Sequence, residues 1–170
     1  MRSHLLILGE RDAIAWVVSQ EQMGFTADRS SSATAAISAG DELFLYATRG
    51  AFHNPTRDRG RVFGRAVATS GVEKLSEPVL LVGRAFTHGF AFDLDSLAPP
   101  RHGVDLADLI PRLSSFPNKT GWATSLRRPL FTLTPEDAHL LRQLLRAEER
   151  DLDESTAGYM AESRTPIRAR

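Results

Sequence analysis

Gly40-Asp41-Glu42-Leu43-Phe44-Leu45-Tyr46-Ala47-Thr48 is a turn that runs straight into a strand. Glycine takes a positive φ cheaply and aspartate bonds its own backbone, so Gly40-Asp41 reverses the chain. The strand period of two then puts Leu43, Leu45 and Ala47 on one face and Phe44 and Tyr46 on the other. A loop with Gly50, Asn54, Pro55 and Gly60 follows, and Arg61 to Thr69 (RVFGRAVAT) returns as a second strand. The small residues of Gly64-Arg65-Ala66 permit close backbone approach on that return.

Working outward, His4 to Leu8 is a short buried strand. Arg11 to Gln20 carries Ile14, Ala15, Val17 and Val18 at helical spacing, with Trp16 at one edge of the apolar face. Asp28-Arg29-Ser30-Ser31-Ser32 supplies N-caps for a short helix over Ala33 to Ser38. Further strands are expected over Glu77 to Leu81, Arg84 to Leu94 and Pro129 to Leu133, and a short helix over Val104 to Leu113. Thr134-Pro135 starts a final helix, Thr as N-cap and proline at the first helical position, expected to reach Arg150 with Ala138, Leu141, Leu144 and Leu145 inward. The order β, α, α, several strands, α, β, α describes an α+β fold, a compact mixed sheet with helices at its edges, and lacks the regular alternation of a parallel doubly wound sheet.

The chain of 170 residues suits one domain, residues 1–150, plus a charged tail, 151–170, expected to be disordered because apolar residues thin out there. It has 21 basic and 21 acidic side chains, so indiscriminate coating of nucleic acid is not expected, yet the charge is uneven. Arg49 to Arg65 holds five arginines against Asp58 alone, a local patch able to steer an anion. No cysteine means no disulfide framework or thiolate site, in keeping with a reducing cytosol. No apolar run approaches the ~20 residues of a membrane span, and Leu5 to Leu8 is too short for a signal peptide. A soluble, cytoplasmic protein with no membrane partner is the expectation.

Catalytic templates are missing: no Walker loop, no Gly-x-Gly-x-x-Gly, no His-Glu-x-x-His. The histidines (His4, His53, His88, His102, His139) include no i, i+4 pair for a helical zinc site, and no cofactor or metal is expected. Ser30-Ser31-Ser32 lacks the setting of a hydrolase elbow. The residues make no positive case for an enzyme.

Gly40 to Thr48, the variable basic loop, and Val62-Phe63-Gly64-Arg65-Ala66-Val67-Ala68 together resemble the EVE domain, one of the PUA-like group that includes YTH and ASCH domains. A second match, Leu126-Arg127-Arg128-Pro129-Leu130-Phe131-Thr132-Leu133-Thr134-Pro135-Glu136, is similar to the family's last strand running into its capped helix. The resemblance spans about residues 4 to 146. The chain departs from the pattern at its start, Leu5-Leu6-Ile7-Leu8-Gly9-Glu10, and near Gln22, where the family's usual tryptophan would fall; Trp16 and Phe25 flank that point as substitutes. The resemblance implies a PUA-like pseudo-barrel of mixed strands, short helices at its edges and a C-terminal helix. It also implies a concave pocket that takes a single, often modified, base of DNA or RNA.

Such a pocket needs flat rings on which an unstacked base recovers its stacking energy. The candidates are Trp16, Phe25, Tyr46, Phe52, His53 and Trp122, with Thr48, Asn118 and Ser125 bonding the base edge. Phe44 is assigned to the core. Phosphates would be held by Arg49, Arg57, Arg59, Arg61 and Arg65, joined by Arg127 and Arg128. The preferred reading is a non-catalytic reader of a modified base, with nucleic acid as partner. Two alternatives stay open: an ASCH-like hydrolase of a modified nucleoside using Lys119, Thr120 and Glu10, and a protein-interaction module working through the acidic tail.

Overall fold

The computed structural model describes residues 1–31 and 36–167. The first half of the helix expected over Ala33 to Ser38 lies outside the described residues, and residues 36–38 are not helical. In chain order the elements are β1 (Ser3–Leu8), α1 (Arg11–Gln20), β2 (Gln22–Phe25), β3 (Glu42–Ala47), β4 (Arg61–Ala68), β5 (Glu73–Leu81) and β6 (Arg84–Leu97). After these come β7 (Val104–Asp105), α2 (Leu106–Leu109), β8 (Leu130–Leu133), α3 (Pro135–Leu145) and α4 (Leu152–Glu162). Short 3-10 turns lie at Ile110–Arg112 and Trp122–Arg127.

The strands form one curled half-barrel in the order β2-β6-β4-β3-β1-β8, with β5 beside β6 and β7 beside β4. Among the described residues only β1 and β3 run parallel; the other pairs are antiparallel. The return strand read from sequence is correct: Leu43 pairs with Ala66 and Leu45 with Gly64. A bulge between Leu45 and Tyr46 and another between Arg65 and Ala66 curl the sheet. Gly64 suits the close strand approach, because a Cβ there would lie 2.6 Å from the Leu97 side chain and 3.1 Å from the Ser96 carbonyl, and both would have to shift.

The alternation on β3 sorts the interior into two cores. Leu43, Leu45 and Ala47 join Leu6, Ile14, Val17, Phe63, Phe92 and Leu97 on one face. Phe44 and Tyr46 join Leu5, Val62, Leu109, Phe116, Leu141 and Leu145 on the other, under α2 and α3. Both faces of β3 are therefore covered, and the parallel β1–β3 pair is buried except at the half-buried Ile7, in keeping with parallel pairing. Glu42 is buried at the start of β3, where it accepts hydrogen bonds from Ser3 Oγ at 2.9 Å and from Arg142 Nε and Nη2 at 2.9 and 2.8 Å. That ion pair fastens α3 to the sheet. The helix opens as expected, the Thr134 hydroxyl accepting from the Asp137 amide at 3.3 Å with Pro135 behind it.

Several expectations need correction. Val104-Asp105 is a strand edge on β4, and only Leu106 to Leu109 is α-helical, because the Asp105 carboxylate caps the Asp108 amide and Pro111 stops the turn. β6 continues to Leu97, and α3 ends at Leu145 rather than Arg150. The larger correction concerns residues 151–170, expected to lack structure: Leu152 to Glu162 is α4, packed along α1. Asp151 caps it through the Glu154 amide at 2.9 Å. Tyr159, only 1% exposed, fills the first core and donates to the Ala98 carbonyl at 2.7 Å. Beyond α4, Asp12 accepts bonds from Ser163 Oγ, the Arg164 amide and Thr165 Oγ1 at 2.7–3.0 Å, tying the chain end to the start of α1.

Among the described residues, no helix is long and apolar enough to cross a membrane, and no group of three His, Asp or Glu side chains is arranged to hold a metal ion.

Candidate base-binding cavity

A cavity of about 450 Å³ opens where β1 ends and α1 begins. Gly9 and Glu10 make the crossing, and α1 then turns Ala13, Trp16 and Val17 toward the opening. Trp16 is there because the buried stripe of α1 is Ile14, Ala15, Val17 and Val18, which leaves its ring at the stripe's edge, half in the core. Met23, Gly24 and Phe25 of β2 form the floor. Phe25 is almost wholly buried and stacks on Phe90, ring centroids 6.0 Å apart. The far wall is the β5–β6 hairpin, through Leu81, Val82, Arg84 and Phe86, and Leu126 to Pro129 close the side next to β8. Gly24 allows Phe86 to lie across β2; a Cβ there would sit 3.0 Å from Phe86 Cβ.

The volume suits a drug-sized or nucleobase-sized ligand, and the lining is mostly apolar with few polar groups, the usual make-up of a small-molecule site. Those polar groups are well placed. Glu10 reaches the mouth, held at 2.8 Å by His53 Nε2. Thr48 and Thr26 bring hydroxyls to the wall, Thr26 donating to Asp28 at 2.5 Å. That bond is the main reason the Asp28 carboxyl is held below its usual range. Four arginines stand around the opening: Arg29, Arg84, Arg127 and Arg128. Arg29 Nη1 donates to the Arg127 carbonyl at 3.0 Å, bridging the mouth from the β2 side to the β8 side.

Of the residues singled out from sequence, Trp16, Phe25, Thr48, Arg127 and Arg128 line this cavity. The others do not. Tyr46 is 4% exposed in the second core, and burial, with the Asp105 charge nearby, pushes its phenol up to about 12. Phe52 is buried in the first core with the Arg101 guanidinium 5.8 Å from its ring. The recess beside it, about 10 Å³, holds at most a water. His53 is exposed and reaches the cavity only through Glu10. Asn118 is spent on a turn, its carbonyl accepting from the Thr120 and Gly121 amides. Trp122 packs edge-on against Phe116 in the second core, and Ser125 lies in the 3-10 turn without lining the cavity.

The arginine loop is the main correction. Arg57 is paired with Asp58, Arg59 with Asp105 and Asp108, and Arg65 with Glu42 and Asp95. Arg61 donates to the Gly103 carbonyl and Arg49 to that of Pro55. Arg59 and Arg65 tie this stretch to β7, α2 and the sheet, and none of the five arginines lines the cavity. For Arg59 and Arg65 the acidic partners lie 23 to 49 residues away, out of reach of a local count of charge. Nor do the residues named for a hydrolase gather: Glu10 is at the cavity, while Lys119 bonds the Leu113 carbonyl and Thr120 bonds Asn118.

Sequence reading missed Phe86, Arg29 and Arg84. A signal existed for two of them: in Val82-Gly83-Arg84-Ala85-Phe86, a two-residue turn precedes a strand, and the period of two puts Arg84 and Phe86 on one face.

No protein-family model matches the chain, and no curated protein does. Solved structures do. The Mmi1 YTH domain in complex with RNA superposes with a TM-score of 0.56 at 13% identity, covering 88% of this chain and 85% of that one. The YTH domain of Zygosaccharomyces rouxii MRB1, in complex with N6-methyladenosine RNA, gives 0.51 at 14%, covering 84% and 86%. Rpa0253 of Rhodopseudomonas palustris gives 0.54 at 14%, covering 88% and 97%. The fold is similar to that of the YTH domains: a mixed, curled half-barrel with short helices and a C-terminal helix.

Proposed function

We propose that this protein binds nucleic acid and reads a single, modified base drawn into the cavity between α1 and the β5–β6 hairpin. The observation that carries the reading is the cavity itself: base-sized, walled by Trp16 and Phe86, and ringed by Arg29, Arg84, Arg127 and Arg128. A base lifted from its stack loses a few kcal/mol and regains ~1–3 kcal/mol from each ring on which it stacks. Glu10 and Thr48 are the groups that bond its edge, the carboxylate favouring an edge that presents N–H donors. The arginines hold the flanking phosphates and add affinity without selecting sequence. Both YTH structures described above were solved with RNA, one of them N6-methyladenosine RNA, which supports this class of ligand.

The test is titration with RNA and DNA oligonucleotides, each with and without N6-methyladenine, following tryptophan emission at several salt concentrations. The expected result is saturable binding that weakens as salt rises, with a log–log slope of about −3 to −4 if four phosphates are neutralised. Absence of saturable binding to any of them at low salt overturns the reading. So does binding that survives Trp16→Ala and Phe86→Ala unchanged.

A further inference from the structure

The tip of the β5–β6 hairpin breaks two rules at once. Leu81 pairs with Arg84, so Val82 and Gly83 make a two-residue turn, both with positive φ, 52° and 69°. Turns of this hand favour Asn-Gly or Asp-Gly, and a β-branched residue at positive φ is strained. The tip is also apolar where it meets water: Leu80 is 78% exposed and Val82 47%. Among the described residues Leu80 is left mostly uncovered and Val82 about half uncovered, so folding gains little from them. A strained, exposed valine flanked by an exposed leucine points to a partner outside the chain.

The two side chains face different ways. Leu81, between them in sequence, is buried and lines the cavity; the strand period turns Leu80 to the outer face of the hairpin. Val82, at the turn, overhangs the mouth. The tip is thus a thin apolar blade standing beside a base-sized hole, with Arg84 at its root and Arg29, Arg127 and Arg128 across the opening. We propose that this blade, Leu80 and Val82, enters the base stack of a double helix and fills the slot left by the base that the cavity takes. The inference rests on the reading of the cavity as a base pocket. A base in a flexible single strand leaves no slot behind it, and a two-sided apolar tip would find only water. An extruded base in a duplex leaves an apolar slot between two flat faces, bounded by phosphates within reach of the arginines. Apolar side chains inserted at base steps hold such distortions open in other protein–DNA complexes.

The experiment compares a duplex carrying one N6-methyladenine, in DNA and RNA versions, with the same modified strand alone. The proteins are the wild type, Leu80→Ser and Val82→Asn; Val82 also lines the cavity, so Leu80→Ser, outside the lining, carries the comparison. Asparagine tolerates positive φ, so Val82→Asn keeps the hairpin and is expected to raise the melting temperature. The expected result is a loss of duplex affinity of about tenfold or more in Leu80→Ser, with single-strand affinity within about twofold of wild type. Equal weakening on both ligands overturns the blade and assigns the tip to the captured base or its own strand. Unchanged duplex binding overturns it too, as does a wild type that binds the single strand and ignores the duplex; in both cases the base pocket stands. If the wild type binds none of these ligands, the pocket reading fails and the blade fails with it.

Discussion

Trp16 and Trp122 are the chain's two tryptophans, and they belong to different faces of the sheet. Ligand-induced change in emission is therefore expected from Trp16: Trp16→Phe should abolish it and Trp122→Phe should leave it. Trp16→Ala is expected to weaken binding by ~1–3 kcal/mol, one lost stacking face, with little change in fold because the ring is half out of the core. A second expectation concerns His4, wholly buried at the start of β1 with Nδ1 3.1 Å from Thr132 Oγ1 and Nε2 3.4 Å from Asp41. Burial lowers its pKa from 6.5, against the opposing pull of the Asp41 carboxylate. The unfolded chain thus takes up a proton near pH 6.5 while the folded chain still holds His4 neutral. Stability is full above that pH and falls as pH drops below it. Urea unfolding at pH 7.5 and 5.5 should show a smaller loss in His4→Gln than in wild type. Trp16 at the edge of its stripe was readable from helical spacing. The lowered pKa of His4 was not, since it comes from burial by segments distant in sequence, among them β8.

At the level of elements, the attachments of α3 and α4 are the points to probe. Arg142→Ala leaves the buried Glu42 carboxylate without its bidentate partner. A cost of roughly 3 kcal/mol in urea unfolding is expected, at the low end for a broken buried pair because Ser3 and Arg65 remain. Replacing both charges, Glu42→Gln with Arg142→Met, should recover much of that loss. Tyr159→Ala empties a fully buried aromatic site beneath α4, and a loss of about 3–5 kcal/mol is expected. Because α4 packs on α1, the same variant should also weaken ligand binding, whereas Tyr159→Phe, which removes only the bond to Ala98, should affect binding little. The strands around Gly40 to Ala68 were legible because their alternation and turn residues are local signals. The docking of α4 was hidden: its one large buried side chain is an isolated tyrosine in a charged segment, and no local pattern announces what lies beneath it.

For the molecule as a whole, the surface distribution of arginine makes a prediction that separates the two groups. Arg127→Gln with Arg128→Gln should flatten the log affinity–log salt slope by about 1.5–2, as two phosphate contacts are lost. Arg57→Gln with Arg59→Gln should leave the slope unchanged, since those side chains are paired with Asp58, Asp105 and Asp108 away from the cavity. Chain-local chemistry set the strand pair, its register, the capped α3 and the covering of β3 on both faces. Each of these rests on interactions between residues close along the chain or on a hydrophobic period that any fold must bury. Which rings and which cations share a cavity was decided by the packing of distant segments. α1, β2, the β5–β6 hairpin and Leu126 to Pro129 meet only after the sheet has curled, and the same closure brought Asp105 and Asp108 to Arg59 and Glu42 and Asp95 to Arg65. Burial and charge pairing are sums over neighbours in space, and a linear reading has no access to those neighbours.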